Sequence, residues 1–366
     1  MPDADLLIGA HDWFGSRAVL PAAHLLGCGR VVIGAGARAL YDRFGVRYDH
    51  VVAGPEEYFD LVDEHPGPFI GPVPTMHPTD APDPTALQCP TELSDQFRAR
   101  NSGHAIPRGT WESGAPILLL KGPNYDARSL HYTGSRALVK GYGPDVDCWR
   151  EEKQVELLPV EGLYYAVFDE LAAAHPAGVE ADVVWFDRGV RVVDGELEEI
   201  LAEVAAQREL TIVRNANTGM RAHSPDAYVP WLEGRADDVR LERGPTDVPG
   251  ARVAQCRTPV EAEDYQRAAR FVLGIENCFS GAFLMATMFD DTYALWFDET
   301  ADRLFPASRT RERELRKALE RLAETGRITR VERGVDLGAF EFPRAGFAGD
   351  PAPAFVARVE RMLAGE

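Results

Sequence analysis

Short apolar runs alternate with helix-forming stretches from the start of this chain, and the alternation begins again near residue 181. No other feature limits the fold as strongly. Asp5–Ala10 reads as a buried strand, Arg17 to about Leu26 as a helix, and Arg30–Gly34 as a second strand. A helix through Ala39, Leu40 and Phe44, a strand at Tyr48–Ala53 and a helix at Glu56–Glu64 follow. Strands separated by helices at this spacing cannot close as hairpins, so they call for parallel pairing through right-handed crossovers. Pro116–Lys121 and Arg136–Lys140 read as later strands of the same half, and Leu163–His175 as a helix. In the second half, strands are expected at Ala181–Phe186, Glu209–Arg214, Gly250–Gln255, Phe271–Gly274 and Thr292–Phe297. Asp194–Gln207 is a helix that Asp194 can cap, with Leu197, Ile200, Leu201 and Val204 on one face. Glu261–Ala269 and Gly281–Met288 read as further helices, and 309–325 as a charged amphipathic one.

The chain has 366 residues, which suits two domains. The expected fold class is therefore α/β, with two Rossmann-like domains facing a cleft. The first spans 1–150 and the second 151–345, with a C-terminal helix at 346–366. Segment 144–160 is polar and reads as the link between halves. Residues 66–115 are rich in Pro, Gly, Asp and Thr and lack periodicity, so they read as a loop-rich insertion.

Composition narrows the function. A formal net charge of −19 opposes non-specific binding to nucleic acid, so no nucleic-acid partner is expected. The five cysteines, at 28, 89, 148, 256 and 278, are widely spaced and form no Cys-x-x-Cys, against both a disulfide framework and a zinc knuckle. No metal and no cofactor are expected. No apolar run reaches the roughly 20 residues a membrane span needs. No basic stretch precedes the first apolar run, against a signal peptide, and the expected location is cytoplasmic.

Open parallel sheets bind ligands beyond the carboxyl ends of their strands, which selects four loops. The first, Gly9 to Ser16, leads from strand to helix, and a helix start favours anions. There His11 and Asp12 could act as acid and base on a hydroxyl, or form a capping turn with a surface histidine. It is not a Gly-x-Gly-x-x-Gly, so it gives no nicotinamide fingerprint. The second runs from Phe271 to Gly281: Ser280 and Gly281 at a helix start suit a diphosphate, and Glu276 and Asn277 suit a ribose or sugar hydroxyl. An ordinary N-cap is the alternative. The third holds Arg214, Asn215, Asn217 and Arg221 at a strand end, where guanidinium forks match phosphate oxygens. A solvated loop explains it equally well. The fourth offers His131 as a second candidate base.

Two stretches resemble a known group of enzymes. The run Ala269-Arg270-Phe271-Val272-Leu273-Gly274, the turn Asn277-Cys278-Phe279-Ser280, the helix Gly281–Met288 and the strand Thr292–Phe297 are similar to the C-terminal half of GT-B-fold glycosyltransferases. The nearest type is the CDP-glycerol glycerophosphotransferases. Residues 136–145, Arg-Ala-Leu-Val-Lys-Gly-Tyr-Gly-Pro-Asp, resemble the strand that closes the first domain of such enzymes. The C-terminal segment also resembles polysaccharide pyruvyl transferases, although their Arg-Leu-His turn is Phe279-Ser280-Gly281 here. The transferases' Lys-x-His-Pro is replaced by Arg214-Asn215-Ala216-Asn217.

The resemblance implies a transferase that moves a glycosyl or polyol-phosphate group from a nucleotide-activated donor to a glycan or polymer acceptor in polysaccharide biosynthesis. The donor would be a substrate rather than a cofactor. It would lie on the second domain at Arg214, Asn215, Asn217, Glu276, Asn277, Ser280 and Gly281. The acceptor would lie on the first, near His11, Asp12 and His131. Peripheral association with the membrane stays open. A pyruvyl transferase or nucleotide-sugar epimerase on the same scaffold is the alternative reaction. A ligand-binding regulator, with 309–333 as a small winged helix, is the non-enzymatic alternative.

Overall fold

The computed structural model describes residues 5–72, 107–121, 155–159, most of 167–187, 190–192, 196–215, 241–243, 245–275, 292–297, 328–340 and 352–365, with isolated positions between 283 and 326. These form two compact units. Unit 1 comprises Met1–His175 and Phe347–Glu366, and unit 2 comprises Pro176–Gly346.

Unit 1 is built on six strands: β1 (Leu7–Gly9), β2 (Arg30–Gly34), β3 (His50–Val52), β4 (Phe69–Pro72), β5 (Ile117–Lys121) and β6 (Val155–Pro159). They pair in the order β3-β2-β1-β4-β5-β6, all parallel. Its helices are α1 (Trp13–Leu26), α2 (Arg38–Phe44), α3 (Pro55–Val62) and α4 (Arg108–Ser113). The last helix, α7 (Ala352–Ala364), returns from beyond unit 2 and packs on α1. The central strands are apolar throughout, as strands covered on both faces must be: Leu7, Ile8, Val32, Ile33, Phe69, Ile70 and Leu118 are all buried.

Unit 2 repeats the plan with β7 (Ala181–Asp187), β9 (Leu210–Asn215), β11 (Arg252–Cys256), β12 (Ala269–Gly274), β13 (Tyr293–Phe297) and β14 (Ile328–Val331). Their order is β11-β9-β7-β12-β13-β14, again all parallel. Counted from the first strand of each sheet, both units read 3-2-1-4-5-6, the dinucleotide-fold order. Helix α5 (Glu196–Gln207) lays Leu197, Ile200, Leu201 and Val204 on a core of Val183, Trp185, Leu210, Ile212, Phe271 and Leu273. Each such side chain contributes about 1.5–3 kcal/mol by leaving water. Helix α6 (Pro259–Ala268) begins at Thr258, whose hydroxyl accepts the Glu261 N–H. Strands β8 (Val190–Val192) and β10 (Leu241–Arg243) form a separate antiparallel ribbon.

The amino end of the second sheet is stapled by side chains. Arg208 donates to the Leu337 carbonyl, Arg270 to that of Phe340, and Gln207 exchanges two hydrogen bonds with Val335 and Leu337. The two guanidinium groups also lie 5.6 and 5.4 Å from the centre of the buried Phe271 ring. Segment 332–340 is thereby fixed to the sheet.

Three regions differ from the sequence-based expectation. The stretch 66–115 contributes β4, a central strand, and α4, so it is not wholly irregular. Within 144–160, Val155–Pro159 forms β6, paired with β5 rather than joining the halves as a free link. Within 309–333, Ile328–Val331 closes the second sheet as β14, which assigns that strand to the α/β unit and not to a winged helix.

Candidate functional site

In each sheet the strand order reverses between its first and fourth strands, and the carboxyl ends flanking that point are where open α/β sheets bind ligands. The carboxyl ends around that point, of β2, β1 and β4 in unit 1 and of β9, β7 and β12 in unit 2, share a topology and differ in chemistry.

At the first edge, β1 passes through Ala10, His11 and Asp12 into α1. Asp12 has extended backbone and its carboxylate accepts the Gly15 N–H at 2.6 Å, so it is the N-cap of α1. The negative charge also complements the positive end of the helix. Ser16 is fully buried: its hydroxyl donates to the Ala10 carbonyl at 3.4 Å and accepts the Gly34 N–H at 2.9 Å. Tyr41 donates to the Ser16 carbonyl at 2.7 Å. Gly34 is required by the close approach of β2, since a Cβ there would collide with the His11 carbonyl. The His11 ring stands edge-on to Tyr58, with centroids 5.7 Å apart. Tyr58 in turn packs over β1, where a Cβ on Gly9 would come within 2.7 Å of the phenol oxygen. Arg17, one turn along α1, is engaged and nearly fully buried. The capping role foreseen for Asp12 is therefore present, and His11 is held from two sides.

At the second edge, β7 ends in Asp187 and β9 carries Arg214 beside it, register partners across the pair. Arg214 Nε donates to Asp187 Oδ2 at 3.1 Å. Its Nη2 donates to the Thr246 carbonyl at 2.7 Å and to Asp247 Oδ1 at 2.8 Å. Asp187 also accepts the Thr246 N–H at 3.0 Å. The two carboxylates differ sharply in setting: the side chain of Asp187 is 2% exposed and that of Asp247 is 79% exposed. The hydrogen bond to Asp247, opposed by burial and joined by the one to Asp187, raises Arg214 above the ordinary arginine value. Nearby on β11, burial pushes the Cys256 thiol up to about 12, with Glu261 and Asp264 adding to the shift. It is a neutral thiol at physiological pH and no nucleophile.

At the fourth strand of this sheet, a Cβ on Gly274 would lie 2.6 Å from the Phe283 ring. The glycine thus lets the buried Phe283 close on the end of β12.

Of the residues singled out by sequence, the structure places His11 and Asp12 together at the first edge and Arg214 at the second. Asn215 ends β9 with its backbone in register with Cys256. His131, Asn217, Glu276, Asn277, Ser280 and Gly281 lie outside the described residues. Sequence reasoning missed Asp187 and Asp247. The first had a readable signal, a carboxylate directly after the apolar run Val183-Val184-Trp185-Phe186, where a buried parallel strand must end. Asp247, in a polar loop, had none. Among the described residues no group of His, Cys, Asp and Glu is placed to hold a metal ion, and no helix is long and apolar enough to cross a membrane.

Two α/β units of this strand order are the architecture that the glycosyltransferase resemblance implies. No protein-family model matches the chain, and no curated protein matches its sequence. Among solved structures it is similar to a UDP-GlcNAc 2-epimerase from Neisseria meningitidis bound to UDP-GlcNAc, with 11% identity over 99% of this chain and 100% of that one, and a TM-score of 0.42. It is similar to a putative UDP-N-acetylglucosamine 2-epimerase from Listeria monocytogenes, with 10% identity over 99% and 96% of the two chains and a TM-score of 0.46. It is also similar to the glycosyltransferase SnogD from Streptomyces nogalater, with 11% identity over 98% and 94% and a TM-score of 0.38.

Proposed function

We propose that this chain is an enzyme acting on a nucleotide-activated sugar or polyol phosphate, with the nucleotide on unit 2 and the hydroxyl-bearing acceptor on unit 1. The reaction is group transfer to a glycan or polymer. One observation carries the division of labour: the opposite chemistry of the two switch edges. In a dinucleotide fold the pyrophosphate sits at the start of the first helix. Here Asp12 already holds that position on α1 with a carboxylate, which takes the Gly15 N–H and repels a phosphate. The first helix of unit 2 also starts with carboxylates, Glu196, Glu198 and Glu199, but unit 2 presents a guanidinium, Arg214, at the carboxyl end of β9 beside β7.

In this reading His11 accepts the proton of the acceptor hydroxyl as a general base. Asp12 is a positioning residue: it caps α1 and fixes the turn that carries His11. Arg214 steadies the phosphate side of the donor as negative charge builds on the leaving group. Ser280, Gly281, Glu276 and Asn277 would complete the donor side, and His131 is the second candidate base.

Thermal stabilisation by UDP or CDP, followed by product analysis with the matching nucleotide sugars, tests the proposal. Binding of either nucleotide with release of free nucleoside diphosphate on adding a glycan acceptor supports transfer. An epimerised nucleotide sugar with no acceptor dependence would replace transfer by epimerisation, and no nucleotide response at all would remove the reading.

A further inference from the structure

We infer that Asp247 is a built-in stand-in for the ligand's anion: its carboxylate covers the outer face of Arg214 in the free protein and is exchanged for a phosphate or diphosphate oxygen on binding. This deepens, and rests on, the assignment of the nucleotide side to unit 2. The argument starts from the unequal grip on the guanidinium. Its Nε is bonded to Asp187, a carboxylate withdrawn from water that also accepts the Thr246 N–H. That half is pre-organised, because Asp187 has nowhere else to go. The other half, Nη2, is bonded to a carboxylate that is 79% exposed and belongs to a loop outside the strands.

The Asp247 bond is the shorter of the two ion pairs, 2.8 against 3.1 Å, but distance alone does not make it the stronger constraint. An exposed carboxylate keeps most of its hydration when it swings away, and exposed pairs contribute little net stability. Replacing it therefore costs little, whereas replacing Asp187 would strand a buried charge. The Thr246 carbonyl holds Nη2 at 2.7 Å throughout, so the guanidinium stays aimed while its outer partner changes. Charge points the same way. Arg214 with both aspartates carries one net negative charge, and Arg214 with Asp187 alone is neutral. A phosphate that arrives beside Asp247 meets repulsion unless that carboxylate leaves. In a chain of net charge −19, such an internal competitor would set a threshold that inorganic anions in the cell fail to cross, while a ligand with further contacts succeeds.

The test titrates the full-length protein with inorganic pyrophosphate and, separately, with UDP, by calorimetry at fixed ionic strength. Asp247→Ala should bind pyrophosphate about three- to tenfold more tightly than the unaltered chain, in line with the modest worth of an exposed pair plus relief of one repulsion. The gain should vanish when Arg214→Gln is added together with Asp187→Asn, a pairing that leaves no unpaired buried charge. Unchanged or weaker pyrophosphate binding in Asp247→Ala overturns the inference. So does a gain that survives loss of Arg214, since it would then be a field effect and not an exchange. UDP binding that is indifferent to Asp247 leaves the nucleotide reading standing and removes this one. Tighter pyrophosphate binding with no preference for UDP does the reverse.

Discussion

The two switch edges began from one topology and have been finished in opposite ways. In unit 1 the turn after β1 is closed by uncharged locks and a single carboxylate: Ser16 bridges β1 and β2, Gly34 admits the His11 carbonyl, and Asp12 caps α1. In unit 2 the carboxyl ends of the first two strands, β7 and β9, are held by ions, a buried Asp187 gripping Arg214 and a solvated Asp247 on its outer side. A shared strand order fixes where a ligand can sit, and the residues at the strand ends decide its charge. Sheet order alone would have assigned a phosphate to both edges.

The largest expected effect comes from the ionic edge. Asp187→Ala removes the buried partner of Arg214 and the acceptor of the Thr246 N–H, and should destabilise unit 2 by about 2–4 kcal/mol. Chemical denaturation followed by a probe in unit 2 measures it, and a loss under 1 kcal/mol would mean that the edge is not held by this pair. Next is the packed edge. Gly34→Ala forces a methyl onto the His11 and Asp12 backbone and should cost unit 1 about 2–3 kcal/mol. It should also displace His11, so turnover falls more than donor binding does.

Asp12→Ala should cost about 1 kcal/mol by loss of the cap, and Asp12→Ser should restore most of it. If Asp12 were instead the base, Asp12→Ser would recover stability and no activity, which separates positioning from chemistry. A smaller contrast lies in the thiols. Cys256, held protonated by burial, should resist alkylation near pH 8 in native protein, while the partly exposed Cys28 of unit 1 is modified. Peptide mass analysis reads both. The smallest effect is acid stability in unit 1. Burial alone would raise Asp49, but the Val31 N–H, Arg47 and His50 hold its carboxyl below the usual aspartate value. A depressed folded value means stabilisation that is present above the ordinary aspartate pKa and is lost as pH falls through the folded one. Asp49→Asn should therefore flatten the loss of stability below about pH 4, where the ordinary aspartate value lies.

Much of the architecture was legible because parallel strands buried on both faces are written as apolar runs. Arg30–Gly34 lies where its sequence put it, and Ala181–Asp187, Leu210–Asn215 and Tyr293–Phe297 deviate from expectation only at their ends. The failures share a cause. Strand β4 is Phe-Ile-Gly-Pro, four residues between glycines and prolines, and punctuation of that kind reads as loop. Only pairing with β1 and β5 makes it a strand. Strand β6 carries Glu156 and ends in Pro159, too polar and too short for periodicity to show. At the site, strand ends selected the right loops, because chain direction and sheet polarity follow from the alternation. Partners did not follow. Arg214 was visible as a cation, but that its grip is divided between a sunken and a solvated aspartate depends on loop 245–250, whose path no local pattern encodes.

Helix α7 has a consequence for how the molecule is made. Phe355, Val359 and Met362 bury themselves in unit 1, although they leave the ribosome after the whole of unit 2. Unit 2 is complete in the nascent chain before unit 1 is, so the first half must wait, with the seat of α7 uncovered, while the second half is translated. Chaperones would meet that open seat on α1, and a chain cut before Ala352 would damage the half of the protein that was synthesised first.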